Sequence, residues 1–148
     1  MPLGNTDRHL SNWALIMENK KFRLSPLYDN SSSLCAYVKD SKIDDYLGND
    51  LLLWKSLVDT KSKSLIRIGN KDRKQPTHLE VLKFLQENYY KETVDIVKKV
   101  EALVTDETIH VILDKYKEVL PPKRRKLILK YLSSKVQLMR EIYRKKEG

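Results

Sequence analysis

Three oxygen-bearing side chains near the N-terminus stand at spacings that could support chemistry: Asp7, Asn12 and Asp29. Asp7 lies within Asn5-Thr6-Asp7-Arg8-His9-Leu10-Ser11-Asn12, and Asp29 closes Pro26-Leu27-Tyr28-Asp29. Phosphoryl transfer from ATP asks for such a set. A carboxylate orients the attacking hydroxyl and accepts its proton, and oxygen ligands hold Mg²⁺ against the phosphates. Asp7 can be that carboxylate. Asn12, five residues on, offers an amide oxygen, and Asp29 offers a charged one. Asn12 and Asp29 can share an ion only if the chain between them runs out and returns beside its start.

That excursion reads as a hairpin. Trp13 to Met17 is apolar, Glu18-Asn19-Lys20-Lys21 is turn-like, Phe22-Arg23-Leu24 alternates, and Pro26 ends the second strand. The periodicity then turns helical. Asp40 or Ser41 can cap a short helix with Ile43, Tyr46 and Leu47, stopped by Gly48-Asn49. Leu51 to Val58 is apolar nearly all round, which predicts a buried helix. Residues 61 to 76 read as a long polar connection. Thr77 can cap a helix with Leu79, Leu82 and Leu85 on one side, and Val97, Val100 and Val104 mark another. Ile109, Ile112, Leu113, Tyr116 and Leu120 form a helical stripe, with Asp106 and Glu107 in the first turn where the helix dipole favours them. Pro121-Pro122 interrupts it. A last helix over about 123–145 points Leu127, Ile128, Tyr131, Leu138, Met139 and Ile142 inward.

The order D-R-H-L-S-N at Asp7–Asn12, hairpin, then P-L-Y-D ending at Asp29, closely resembles the catalytic and metal-binding segments of HipA-like serine/threonine kinases. It is more distantly similar to the D-R-H-x-x-N loop of phosphatidylinositol-kinase-like enzymes. The resemblance implies Asp7 as catalytic base, Asn12 and Asp29 as Mg²⁺ ligands, and His9 as a structural or phosphate-facing member of the catalytic loop. It implies ATP and Mg²⁺ as cofactors and a protein as substrate. Asn30 to Leu34 would continue the metal-binding loop, and a weaker similarity runs through Leu65 to Lys71. The family's glycine-containing phosphate loop, ATP-pairing lysine and hinge lie before this point, so the residues that bind the nucleotide base are not identified. The expected fold is mainly α: a helical bundle resembling a kinase C-terminal lobe, with a short β-hairpin near the N-terminus. One domain spans 1–148, with catalytic loop, hairpin and metal-binding loop in 1–34 and a helical body in 35–148. Such a lobe needs an N-terminal lobe, from a partner or a longer product, and an antitoxin-like chain is a second partner the resemblance suggests.

Composition sets the outer bounds. An apolar fraction of 41% beside 33% charged residues describes a globular chain, not a disordered one. No run nears the roughly 20 apolar residues that span a bilayer. One cysteine, Cys35, makes neither an internal disulfide nor a Cys-rich zinc site, and a reducing cytoplasm is the default compartment. Cys35 has no triad-like neighbours and reads as a small buried residue. The net charge of +9 favours an anionic partner, nucleic acid included, or a role as a non-catalytic interaction module. That charge gathers at Lys61–Lys74 and again from Lys123 to Lys146, where solvated helix faces are the expectation. No element that reads bases accompanies it. His110, beside Ile109, reads as structural, and His78 sits at a helix start. Tyr89, Tyr90, Tyr116, Tyr131 and Tyr143 read as core-edge aromatics.

Overall fold

The computed structural model describes residues 3–69 and 74–144. Lys71, Arg73, Lys145 and Lys146 of the two basic stretches therefore lie outside the described residues, as do Asn70 and Lys71 of the weaker similarity. The fold is mainly α with one antiparallel hairpin. Strands β1 (Leu15–Glu18) and β2 (Lys21–Leu24) pair Leu15 with Leu24 and Glu18 with Lys21. Only Asn19 and Lys20 remain for the turn, and both have positive φ, 50° and 60°. That matches the twist-compatible two-residue hairpin turn.

Helices α1 (Ile43–Leu47), α2 (Leu51–Lys55), α3 (His78–Asn88), α4 (Tyr90–Leu103) and α5 (Asp106–Asp114) gather around α6 (Pro122–Arg144). Helix α6 supplies residues to three clusters along its length. Leu127 and Tyr131 pack with Cys35, Val38, Ile43, Leu57 and Val58. Ile128 and Leu132 pack with Ile109 and Leu113. Met139 and Tyr143 pack with Leu82 and Val97. A helix that buries residues on nearly every turn acts as an axle, because each flanking helix needs it to hide its own apolar side.

Several expectations are corrected. Neither Asp40 nor Ser41 caps α1: both fall in a 3₁₀ turn, Asp40–Lys42, and Asp40 instead pairs with Arg124. The run 51–58 is not buried throughout. The α-helix gives way to a π turn, Ser56–Thr60, which re-phases the chain so that Leu57 and Val58 are buried while Leu51 and Leu52 are about four-fifths exposed, at 79% and 81%. The α5 stripe is narrower than expected: Ile112 within the helix is exposed, and the helix ends at Asp114, before Tyr116, which is exposed too. Tyr131 and Tyr143 belong to the core rather than its edge, whereas His110 is exposed. The connection after the π turn is anchored, with Ser62, Ser64 and Pro76 buried and Lys63 bridging to Thr77.

Thr77 does cap α3. Its hydroxyl accepts from the Glu80 amide at 3.1 Å, and Glu80 accepts from the Thr77 amide at 2.6 Å. The Thr77 amide, and then its hydroxyl, hold the Glu80 carboxyl below its usual pKa. Thr77→Ala removes half of this box and is expected to cost about 1 kcal/mol, a fall in melting temperature of roughly 2–4 °C by calorimetry. An unchanged transition would show that the Lys63 bridge already sets the helix start.

Candidate active site

The loop after Gly4 is closed by its own side chains. The Asp7 amide donates to Asn5 Oδ1 at 2.9 Å, and the His9 amide to the Asp7 carbonyl at 3.1 Å. A 3₁₀ turn, Leu10–Asn12, brings Asn12 back, so that its Nδ2 donates to the same Asp7 carbonyl at 2.7 Å. Asn12 is buried, at 4% exposure. Asp7 and His9 are exposed. With Nδ2 committed to Asp7, the Asn12 amide has its oxygen left for another partner.

The chain then leaves through the hairpin and returns at Tyr28-Asp29. The return is tied to the loop by three side chains. Asn5 Nδ2 donates to the Asp29 carbonyl at 3.2 Å, so one amide holds the backbone of Asp7 at one end and that of Asp29 at the other. Arg8 Nη1 donates to the carbonyls of Asn12, at 3.0 Å, and Tyr28, at 2.7 Å. Tyr28 Oη donates to the Ser11 carbonyl at 2.7 Å. Asp29 itself has φ 52°, in the left-handed region, where an ordinary residue costs about 1 kcal/mol or more and persists only when its surroundings hold it there. Its Oδ1 accepts from Ser31 Oγ at 3.0 Å.

Asp7, Asn12 and Asp29 are thus joined through one hydrogen-bonded network. His9 adds backbone bonds to it, and its ring makes none among the described residues. Sequence reasoning missed Asn5, Arg8 and Tyr28 as the struts. Their adjacency to Asp7 and Asp29 was the available signal, but which neighbour bonds to which depends on the return path of the hairpin. It also missed how the loop is seated: Leu34 donates its amide to the Leu3 carbonyl at 2.9 Å, and Gly4 packs on the Tyr131 ring of α6.

The donor set fits Mg²⁺ chemically, since Asp29, Asn12 and Asp7 present hard oxygens and no sulfur or imidazole. Among the described residues there is no group of three or more His, Cys, Asp or Glu side chains able to cage a metal. Two protein ligands completed by substrate phosphates is the arrangement such a set can make.

The hairpin presents its apolar side outward. Leu15, Met17, Phe22 and Leu24 share one face by register, at 61–69% exposure, and Leu27 beside them is 59% exposed. Among its strand residues Ile16 alone is even half-buried, so the hairpin buries little of itself against the helical body. The opposite face carries Arg23 paired with Glu18. The basic C-terminal cluster, by contrast, is largely engaged. Arg124 donates to the Cys35 and Val38 carbonyls and pairs with Asp40, Lys123 pairs with Asp44, and Arg125 with Asp114. Among the described residues, no helix is long and apolar enough to cross a membrane.

No family model matches the chain, and no curated protein matches it by sequence. A solved structure does: that of the Helicobacter pylori proinflammatory kinase CtkA, at 19% identity and a TM-score of 0.77. The match takes in 97% of this chain and 48% of the kinase, so the chain spans about half that protein's length. At this identity the likeness speaks for the fold alone: the chain has the fold of part of a kinase.

Proposed function

We propose that this chain is the C-terminal, catalytic-loop lobe of a HipA-like serine/threonine kinase, transferring phosphate from ATP to a protein hydroxyl once an N-terminal lobe completes it. The observation that carries this reading is the Asn5 amide, which ties the backbones of Asp7 and Asp29 across the base of the hairpin. The uncovered apolar face of that hairpin supports it, because a second lobe would bury Leu15, Met17, Phe22 and Leu24 beside the same network. The CtkA fold adds support of a coarser kind.

Asp7 is the group placed to orient a serine or threonine hydroxyl and take its proton as the oxygen attacks the γ-phosphorus and ADP departs. Asn12 and Asp29 would hold Mg²⁺, which when bound neutralises phosphate oxygens. Catalysis of this kind is mainly positioning, so the lobe alone is a poor catalyst.

The test mixes the chain with labelled ATP, a serine-rich protein substrate and a kinase N-terminal-lobe polypeptide. Transfer is expected only in the complete mixture. Asp7→Asn is expected to lower it by about 10²–10⁴-fold. No transfer with any lobe supplied, or transfer indifferent to Asp7→Asn, overturns the reading. The competing reading is a non-catalytic module whose basic loop, residues 61–74, binds an acidic protein, or a nucleic-acid binder acting through net charge; Lys123, Arg124 and Arg125 of the C-terminal cluster lend it little, being paired within the chain. It predicts binding that falls steeply with salt and ignores Asp7 and Asp29.

A further inference from the structure

Resting on the kinase reading above, we propose that Arg8 is the positioning residue that sets the two metal ligands, Asn12 and Asp29, against each other. Its guanidinium reaches three acceptors in two separate segments. Nη1 holds the Asn12 carbonyl at 3.0 Å and the Tyr28 carbonyl at 2.7 Å, and Nη2 holds Asn30 Oδ1 at 2.5 Å. One rigid fork therefore grips one ligand residue directly and the other by both of its sequence neighbours.

That grip falls where the backbone needs it. Asp29 sits at φ 52°, a conformation that its neighbours must enforce. Arg8 fixes the residue before and the residue after. All three acceptors are neutral oxygens, so the arginine spends none of its bonds on the Asp7 or Asp29 carboxylates, and their charge is left for a cation. The guanidinium also lies 5.8 Å from the centre of the Trp13 ring, which shelters one face. A lysine here is a single mobile point charge and cannot span the three oxygens together.

The experiment uses the chain alone with Mn²⁺ as the probe, read as paramagnetic broadening of the backbone amide signals of residues 28–31. In the wild-type chain these signals are expected to broaden first. Arg8→Ala and Arg8→Lys are each expected to need about 10-fold more Mn²⁺, the scale of a lost outer-shell contact. Methylguanidinium added to Arg8→Ala is expected to restore most of the sensitivity, which a merely structural role does not predict. Asp29→Asn is the control for the underlying reading. If Asp29→Asn abolishes broadening while Arg8→Ala stays within about twofold of wild type, the positioning role is overturned and the metal site stands. If Asp29→Asn changes nothing, the metal assignment itself falls, and this role with it. Loss in Arg8→Ala that methylguanidinium leaves untouched also overturns it.

Discussion

Replacing Gly4 by alanine is expected to lower the melting temperature by roughly 8 °C, a destabilisation of about 3 kcal/mol, and to loosen the loop that carries Asp7. Two causes add. Gly4 has φ 66°, where a side chain costs about 1–2 kcal/mol. A Cβ there would also stand 2.0 Å from Tyr131 Oη and 2.8 Å from Cζ. Tyr131 cannot easily step aside. It is 1% exposed at the centre of the first α6 cluster, and its hydroxyl lies 2.9 Å from that of buried Ser62. Overpacking of such a site costs about 1–3 kcal/mol. A double-mutant cycle separates the causes. Tyr131→Phe removes the nearest atom but leaves the ring carbon, so Gly4→Ala should cost about half as much in that background. Equal costs in both backgrounds would show that φ alone matters. The consequence for function is local: Asp7 lies three residues beyond the contact, and its loop is positioned partly by this seating.

The same contact shows where sequence reading stops. Tyr131 was legible as inward-facing, since it continues the apolar spacing of Leu127 and Ile128. That it receives a glycine from the far end of the chain was not legible, because nothing local to either residue encodes their meeting. That the candidate residues Asp7, Asn12 and Asp29 come together was easier to read. Asp7, Asn12 and Asp29 are polar groups in order across a recognisable hairpin, and the turn itself needed only Asn19 and Lys20 to adopt positive φ. The helical body was readable wherever one face stayed apolar over several turns, as on α6. It failed at 51–58, where an all-apolar run carries no phase and the π turn decided which residues turned inward. It failed again at Arg124, whose place in a basic run suggests a solvated surface. Its side chain is 14% exposed and satisfies the carbonyls of Cys35, in the left-handed pair Leu34 and Cys35, and of Val38 beyond it. Tertiary structure gives such a residue a role that composition cannot distinguish from solubility.

Lys135 on α6 and His78 at the start of α3 together predict how stability follows pH. Both are buried, at 8% and 6% exposure, and both line a cavity of about 20 Å³ between α3 and α6. His78 Nδ1 has no hydrogen-bond partner. Burial, and then the Lys135 charge, push the His78 pKa down from 6.5 to about 4; a backbone hydrogen bond with Asn5 works the other way. Burial pushes Lys135 down from 10.5 to about 8, against weaker attraction from Asp59. Each group binds its proton more readily in the unfolded chain, so stability rises with pH across each window. For His78 the contribution is complete above about pH 6.5 and is lost as pH falls towards 4, a loss on the order of 3 kcal/mol. For Lys135 stability rises above about pH 8 as the ammonium loses its proton. Above pH 9 the buried Cys35 thiol, raised from 9.0 to about 12, opposes that gain, because only the unfolded chain ionises it readily. Lys135→Met removes a buried cation whose desolvation outweighs its partners and is expected to stabilise the chain at pH 7 by about 2 kcal/mol, or roughly 5 °C, after losing the contact with the Tyr131 ring. In the same variant His78 should titrate closer to its ordinary value, making the acid limb shallower. His78→Gln should flatten that limb further. Melting curves from pH 4.5 to 8.5 on the three proteins decide it. An acid limb of equal slope in all of them would assign it to surface carboxylates instead.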